Sequence, residues 1–519
     1  MVLKMILVVL FFAVMVGIGL YCRRHATDVS GFVLGGRSVG PWLTAFAYGT
    51  SYFSAVVFVG YAGQFGWKYG IAATWAGIGN AIIGSLLAWA VLGRRTRIMT
   101  QHLDSATMPE FFGKRFGSPS LKIAASVVTF IFLIPYTASL YNGLSRLFGM
   151  AFNIDYAVCV VVMAVLTGIY IIAGGYMASA INDFIQGIIM LFGICAVIAA
   201  VLKGQGGFLA ALNGLSQVTD EAVSTSPGVF NSFFGPDPVN LLGVVLLTSL
   251  GTWGLPQMVQ KFYAIKSEKS IGTGMIVSTI FALIVAGGCY FLGGFGRLFS
   301  GQMEMINGLP GGSYDSVVPT MLSGLPDLLI ALVVILVLSA SMSTLSSLVL
   351  TSSSTFTLDL LKGHVVKEMD EKKQVLVMRL LIVVFILISV VLAIVQYRSS
   401  VTFIAQLMGV SWGALAGAFL APFLYGLYWK RTSKLACWCS FIFSTVFMLA
   451  VISPLKTMLP ALLQSPINAG AFCMIVGLVL VPVVSVFTPK PDRALVDDAF
   501  SCYDQKVTVR QSAALGDPE

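Results

Sequence analysis

Hydroxyl side chains crowd one apolar stretch of the chain. From residue 339 to residue 357, twelve of nineteen residues are serine or threonine, although surfaces that face lipid carry few polar groups. Five positions share one helix face or its edge, at spacings of three and four residues: Ala340, Ser343, Thr344, Ser346 and Ser347. Oxygens in such an array suit a small, hard cation. Alternatively, each hydroxyl donates to the carbonyl one turn back, or keeps the helix narrow for close packing.

A carboxylate lies inside another apolar run. Asp183 stands in SAINDFIQGIIMLFG, whereas the other acidic residues lie in loops, in the tail or at the ends of apolar runs. A charge at membrane depth needs a partner and is functional by default. The alternative is an Asp that caps the first turn of a helix. The hydroxyl array favours a functional role, because a cation between the two would neutralise the carboxylate.

Glycine and proline interrupt a third apolar run, GTWGLP at Gly251–Pro256. Proline removes a backbone donor and frees carbonyls that can bind a ligand inside a cavity. An ordinary proline kink is the alternative. The run that contains AYGTSYFSA stands five apolar runs earlier. When helices are interrupted at corresponding places in the two halves of a membrane protein chain, they indicate a transporter site near the middle of the membrane.

The composition is typical of an all-α integral membrane protein. Of the 519 residues, 57% are hydrophobic and 10% are charged, whereas soluble domains carry about a quarter charged residues. The net charge of +9 lies mostly in loops, and we expect no nucleic-acid partner. The eight cysteines include no CxxC pair, so neither a disulfide framework nor a zinc site is expected.

Thirteen apolar runs are long enough to be transmembrane helices. They cover roughly 2–22, 41–64, 70–93, 122–149, 155–174, 178–203, 239–263, 271–296, 323–360, 374–396, 401–428, 434–453 and 467–488. We therefore expect one membrane domain, 1–488, followed by a polar and mobile tail, 489–519. The loop at 204–238 is expected to carry short interfacial helices.

The basic residues predict the orientation of the chain. With the N-terminus outside, 24 of the 31 Lys and Arg residues fall on the inner side, as the positive-inside rule requires. Lys261 counts here as a residue of an inner segment. The C-terminus is then cytoplasmic, and the expected location is the cell membrane.

Enzymatic chemistry is not expected. The three histidines, His25, His102 and His364, all lie outside the apolar runs, so a histidine-based site within the membrane has no residues to use. A GxxxxGK[ST] phosphate loop for ATP is also missing from the sequence. Transport driven by an ion gradient, a channel and a membrane sensor are the classes that remain.

Four sequence blocks resemble the sodium–solute symporter family, which includes proline, pantothenate, sialic acid and sodium–glucose symporters. In chain order they are GGRSVGPW at Gly35–Trp42, AGGYMASAINDFIQG at Ala173–Gly187, GLPQMVQKFYAIKS at Gly254–Ser267 and SASMSTLSS at Ser339–Ser347. The resemblance implies thirteen helices and a LeuT-type core of two inverted five-helix repeats. The repeats would be 41–203 and 239–428, after a first helix and inner loop at 1–40 and before two extra helices at 429–488.

The same resemblance implies sodium as the coupling ion. The first sodium ion would be bound by three main-chain carbonyls and two hydroxyls: those of Thr50, Phe53 and Ala340, and those of Ser343 and Thr344. Members with a second sodium ion use an Asp of the sixth span with further serines, which here are Asp183, Ser346 and Ser347.

A solute cavity is implied between the second, third, fourth, seventh and eleventh spans. Its candidate residues are Ser54, Thr252, Trp253, Pro256 and Gln406. The chain departs from the proline symporters at Tyr52, where they have an acidic residue, and at Thr248 and Thr252, where they have aromatic residues. The IND and GLP blocks look closer to the pantothenate branch.

The expected function is sodium-coupled import of a small organic solute by alternating access. The solute is expected to bear a carboxylate and to be pantothenate-like or proline-like. The protein is expected to work as a monomer in the lipid bilayer. A membrane solute sensor on the same fold and a channel are the alternatives.

Overall fold

Apolar helices make up most of the chain, as its hydrophobic runs predict. The computed structural model describes residues 2–152, 154–224, 226–362, 366, 369–399 and 404–504. The α-helices of this part, α1 to α20, are Val2–Cys22, Val29–Leu34, Pro41–Tyr52, Ala62–Tyr69, Thr74–Gly79, Arg94–His102, Met108–Arg115, Pro119–Phe152, Tyr156–Gly204, Phe208–Gln217, Pro238–Gly254, Pro256–Ala264, Lys269–Gly293, Val317–Ser323, Asp327–Thr355, Glu371–Ser399, Ile404–Tyr428, Lys434–Ile452, Pro466–Phe487 and Arg493–Ser501.

Shorter elements join these helices. Wide π-helical turns occupy Val56–Tyr61, Asn80–Leu87, Trp89–Gly93 and Phe356–Leu361. One small antiparallel sheet pairs β1, Met305–Ile306, with β2, Leu309–Pro310. The expected short helix in the loop at 204–238 is α10.

The count of separate helices differs from the thirteen predicted spans. In the described part of the chain, ten helices are long and apolar enough to cross a membrane, or eleven if the bent pair α11 and α12 forms one span. Two helical stretches, Val56–His102 and Tyr156–Gly204, are 47 and 49 residues long. Each contains one glycine with a non-helical backbone, Gly70 (φ 62°, ψ −142°) in the first and Gly175 in the second. Gly70 begins the predicted span 70–93 and Gly175 follows the predicted span 155–174, so each stretch counts once although it contains a predicted boundary.

The 49-residue helix α9 contains one backbone break. Gly175 has φ 57° and ψ −146°, a conformation that only glycine adopts readily. A Cβ atom at this position would lie 2.8 Å from the carbonyl oxygen of Phe32. The break therefore allows α9 to change direction where it packs against α2.

Helix α15 lies at the centre of the bundle. Every residue from Leu336 to Thr355 is buried, and the helix packs against α3, α8 and α9. By contrast, α16 exposes an apolar face formed by Leu376, Leu380, Leu387 and Val391. Exposed apolar residues at helical spacing are expected where a helix faces lipid. The hydroxyl-rich helix is thus enclosed by protein.

The segment that follows the last long helix is not the mobile tail that its polarity predicts. Residues 493–501 form α20, whose Val496, Ala499 and Phe500 are buried. The Phe500 ring centre lies 4.9 Å from the Arg115 guanidinium. The apolar spacing i, i+3, i+4 gives this short helix one face to pack. Residues 505–519 of the predicted tail lie outside the described residues.

Candidate functional site

The first helix break follows α3. Phe53 has an extended backbone, with φ −99° and ψ 118°, and helical structure resumes at Val56. Carbonyls in the last turn of a helix have no intrahelical donor. Those of Thr50 and Phe53 face α15 instead.

Two hydroxyls of α15 meet these carbonyls. Ser343 Oγ lies 3.1 Å from the Thr50 oxygen and 3.0 Å from the Ala340 oxygen. Thr344 Oγ1 lies 3.2 Å from the carbonyl oxygens of Thr50 and Phe53 and 3.1 Å from that of Ala340. All five residues are buried. The structure thus brings together the five atoms that the family resemblance implies as ligands of the first sodium ion.

Hydroxyls bond back to carbonyls of their own helix along much of α15, and two of them also reach a second helix. The hydroxyls of Ser346 and Ser353 donate to carbonyls three residues back, at 2.8 and 3.1 Å, as back-bonding predicts. Ser343 and Thr344 also reach across to α3. A hydroxyl that donates to a carbonyl can rotate and present a lone pair to a cation. Five neutral oxygens suit a hard monovalent cation held at a helix break.

The second helix break separates α11 from α12. Leu255 is extended, Pro256 begins α12, and the two helices are bent by 46°. Helix α17 comes very close here, since a Cβ atom on Gly251 would lie 2.4 Å from Cε3 of Trp412. Gln257 is buried just after the break, and its amide has no hydrogen-bond partner among the described residues.

Two of the five predicted solute residues use their polar atoms in helix packing. Thr252 Oγ1 donates to the Gly84 carbonyl at 2.9 Å, and Trp253 Nε1 donates to the Ile83 carbonyl at 2.9 Å. The Gly84 carbonyl also accepts from the Tyr48 hydroxyl at 2.7 Å. These bonds join α11 and α3 to the helical turn at Asn80–Leu87.

The other three predicted solute residues lie at separate places. Ser54 stands at the first break, where its Oγ accepts from the Val56 amide at 3.2 Å, and Pro256 stands at the second break. Gln406 lines a cavity of about 770 Å³ that none of the other four lines. In that cavity Arg297 contacts Asp220 at 2.8 Å. Burial lowers the pKa of Arg297, and its contact with Asp220 opposes that shift.

Aromatic side chains with unused polar atoms lie between the two breaks. The Tyr136 and Trp412 rings meet edge to face, with centres 5.9 Å apart, and both are buried. The Tyr136 hydroxyl interacts with the side chains of Ser54 and Trp412, but neither it nor Trp412 Nε1 makes a hydrogen bond of good geometry within the described part of the chain. Buried polar atoms rarely stay unpaired. Their hydrogen-bonding capacity is available to a solute or to water.

Asp183 lies eight residues beyond the Gly175 break and is fully buried, so it does not cap a helix N-terminus. Its Oδ2 accepts from Ser179 Oγ at 3.4 Å and lies 4.0 Å from the ammonium nitrogen of Lys261. That ammonium donates to Ser347 Oγ at 3.0 Å. Ser346 Oγ lies 2.8 Å from Ser179 Oγ. The three residues suggested for a second sodium ion therefore share one cluster with a lysine.

Sequence reasoning missed Lys261, Tyr136, Trp412 and Gln257. Lys261 was placed in an inner segment, yet its side chain is 2% exposed. The sequence does carry a sign of this, because Lys261 stands in VQKFYAI, an apolar run that follows a helix-starting proline. Nothing comparable distinguishes Tyr136 or Trp412 from the other aromatic residues of their helices.

Comparisons with known proteins identify the family of the chain. The sequence profile of the Sodium:solute symporter family matches residues 32–442. The osmoregulated proline transporter OpuE of Bacillus subtilis is 27% identical over 93% of this chain and 95% of its own. The sodium/proline symporter of Staphylococcus aureus (strain JH9) is 29% identical over 95% of this chain and 94% of its own.

Among solved structures, a substrate-bound, outward-open Na⁺-coupled sialic acid symporter has a similar fold. Its TM-score is 0.76 at 18% identity, and the match covers 94% of this chain and 98% of that one. At this identity the likeness concerns the fold alone.

Two broken helices beside a buried site of neutral oxygens are the arrangement of an ion-coupled secondary transporter. With the profile match across most of its length, the chain belongs to the sodium:solute symporter family. It is a multi-pass membrane transporter and not an enzyme, and its coupling ion is sodium.

Proposed function

We propose that this protein imports a small, carboxylate-bearing organic solute together with sodium. The observation that carries the proposal is the convergence of five neutral oxygens where α3 breaks beside α15. Sodium bound there would hold the broken helix in the arrangement that the solute needs, so that each ligand raises the affinity for the other. Each sodium ion that enters gains about 2.3 kcal/mol per 100 mV of membrane potential.

The proposed solute site lies between the two helix breaks. On the side of α3 it is formed by Ser54 and Tyr136, and Trp412 extends it towards Gly251. On the other side, the Gln257 amide and the N-terminus of α12 provide donors for a carboxylate. The four remaining candidates, in the seventh and eleventh spans, have surrounding roles: Thr252, Trp253 and Pro256 shape the second break, and Gln406 lines the neighbouring cavity.

The proposed topology has thirteen crossings, with the N-terminus outside and the C-terminus in the cytoplasm. Each of the two long helical stretches turns at a glycine, Gly70 or Gly175, that separates two of the proposed crossings. The breaks at Phe53 and Leu255 fall in the first helix of the proposed inverted repeats, 41–203 and 239–428. The inner side keeps its large excess of basic residues when the buried Lys261 is left out of the count. One chain contains both sites, which supports a monomer in the cell membrane as the functional unit.

Uptake into proteoliposomes tests the proposal. The panel contains labelled proline, pantothenate, monocarboxylates and sialic acid, with an inward sodium gradient or with choline in place of sodium. Proline is included because the relatives carry that name, and pantothenate because of the IND and GLP blocks. We expect one solute class to accumulate only with sodium. Uptake that merely equilibrates, or that proceeds equally in choline, would contradict the proposal.

A further inference from the structure

A buried lysine occupies the cluster in which a second sodium ion would be sought. The Lys261 ammonium lies 4.0 Å from Asp183 Oδ2 and donates to Ser347 Oγ at 3.0 Å. It also lies 5.0 Å from the ring centre of Tyr176, within the range of a cation–π contact. The exposed fractions of the Lys261 and Asp183 side chains are 2% and 0%. A carboxylate, a hydroxyl and an aromatic face therefore surround one ammonium.

The hydroxyl oxygens of the cluster are already joined to one another, whereas Asp183 Oδ1 has no hydrogen-bond partner among the described residues. Ser347 Oγ lies 2.9 Å from Ser51 Oγ, and Ser346 Oγ lies 2.8 Å from Ser179 Oγ. Ser179 donates in turn to Asp183. These contacts connect α3, α9 and α15, while the lysine adds α12. A sodium ion at Asp183 would have to separate the hydroxyl pairs and share the carboxylate with the ammonium.

Charge balance favours the ammonium of Lys261 over a sodium ion in this cluster. The cluster contains one formal negative charge, and the ammonium of Lys261 neutralises it. A sodium ion in the same place would leave one uncompensated positive charge, next to a like charge, in a region where low dielectric strengthens repulsion. A buried charge is tolerated inside a membrane protein when it is paired. The pair Asp183–Lys261 satisfies that condition without an ion.

The lysine is connected through Ser347 to residues of the proposed first site. Ser51 follows Thr50 directly, and Ser347 Oγ donates to the Ser343 carbonyl at 3.2 Å. Lys261 therefore attaches α12, which begins at the second break, to the helices that hold the first sodium ion. The Lys261 ammonium thus links the second helix break, where α12 begins, to α3 and α15 at the proposed sodium site.

We infer that the ammonium of Lys261 serves as the resident cation of the Asp183 cluster, so that Asp183, Ser346 and Ser347 bind no second sodium ion and one sodium ion is transported per solute. The inference rests on the proposed first sodium site. It differs from the two-ion arrangement that the family resemblance implies for these residues. Lys261 acts as a positioning residue that substitutes for an ion.

Binding of ²²Na⁺ to the purified, full-length protein tests the inference without any solute. We expect one bound ion per chain and a Hill coefficient of one for the wild type. Lys261→Gln leaves Asp183 without its cation, so a second ion should bind and the Hill coefficient should rise above one. The double variant Asp183→Asn/Lys261→Gln removes both charges and should return to one ion with the affinity of the wild type.

Two sodium ions on the wild type, with one lost in Asp183→Asn, would overturn the inference. A ratio that stays at one in Lys261→Gln would overturn it as well, since the lysine would then exclude nothing. If Lys261→Gln cannot be purified, Lys261→Met takes its place with the same expectation, and two ions on the wild type still overturn the inference. Thr344→Val separates this result from failure of the first site: it should reduce binding of the single ion. Binding of no sodium to the wild type would overturn both proposals.

Discussion

Replacement of Thr344 by valine should weaken sodium binding by about ten- to a hundredfold. Valine keeps the branched shape of threonine and removes Oγ1, which lies 3.1–3.2 Å from three carbonyl oxygens. A polar contact to a charged group contributes about 1.5–3 kcal/mol, and about 1.4 kcal/mol corresponds to a tenfold change in affinity. The remaining four oxygens of the site would still bind the ion, at a higher concentration.

The assay measures thermal stability at increasing sodium concentration, with choline replacing sodium at constant ionic strength. A ligand that binds the native state stabilises it by RT ln(1 + [Na⁺]/Kd), so a tenfold weaker Kd lowers the gain at saturation by about 1.4 kcal/mol. Thr355→Val is the matched control. It makes the same change on the same buried helix, and the Thr355 hydroxyl has no hydrogen-bond partner among the described residues.

The reasoning would be refuted if the wild type, Thr344→Val and Thr355→Val responded to sodium equally. A different result would also count against it: a Thr344→Val protein that is less stable in choline but gains the wild-type increment from sodium. In that case the hydroxyl would hold α3 to α15 without taking part in ion binding.

Three further substitutions test other parts of the account. Tyr136→Phe should raise the solute concentration for half-maximal uptake about tenfold, since it removes the hydroxyl that faces Ser54 and Trp412 in the proposed solute site; Tyr141→Phe removes a hydroxyl elsewhere on the same helix that is equally unpaired in the described part of the chain, and should change it little. Gly251→Ala should abolish uptake, because its Cβ would lie 2.4 Å from an indole ring, whereas Gly272→Ala meets nothing within 4 Å and should be tolerated. Phe500→Ala should release α20, seen as faster hydrogen exchange over 493–501, while sodium affinity stays unchanged; unchanged exchange would show that the aromatic contact does not hold the helix.

Two parts of the site could be predicted from short stretches of sequence: the hydroxyl face of one helix and the two helix breaks. The hydroxyl face of α15 follows from helical spacing, and both breaks follow from residues that interrupt an apolar run. Contact between Thr50 and Thr344, almost three hundred positions apart, does not follow from spacing. It was predicted from the resemblance to a family, and the structure places the two residues 3.2 Å apart, from carbonyl oxygen to hydroxyl.

The sequence could not show which way a helical residue faces inside a bundle. Thr252 could equally have faced a solute, and its partner, the Gly84 carbonyl, is 168 positions away. The depth of Lys261 depends on the position and tilt of α12, which the count of loop charges does not consider. In α20, three apolar residues were too few to distinguish a packed helix from a polar tail.

Reciprocal coupling offers the most direct test of the central claim, that one protein binds and moves sodium and solute together. Proteoliposomes are loaded with equal ²²Na⁺ on both sides, and an inward gradient of proline, or of the panel solute that is taken up, is then imposed with the membrane potential clamped. We predict that ²²Na⁺ accumulates inside against its own gradient, and that Thr344→Val accumulates less at subsaturating sodium. Solute entry that leaves ²²Na⁺ evenly distributed would contradict the account.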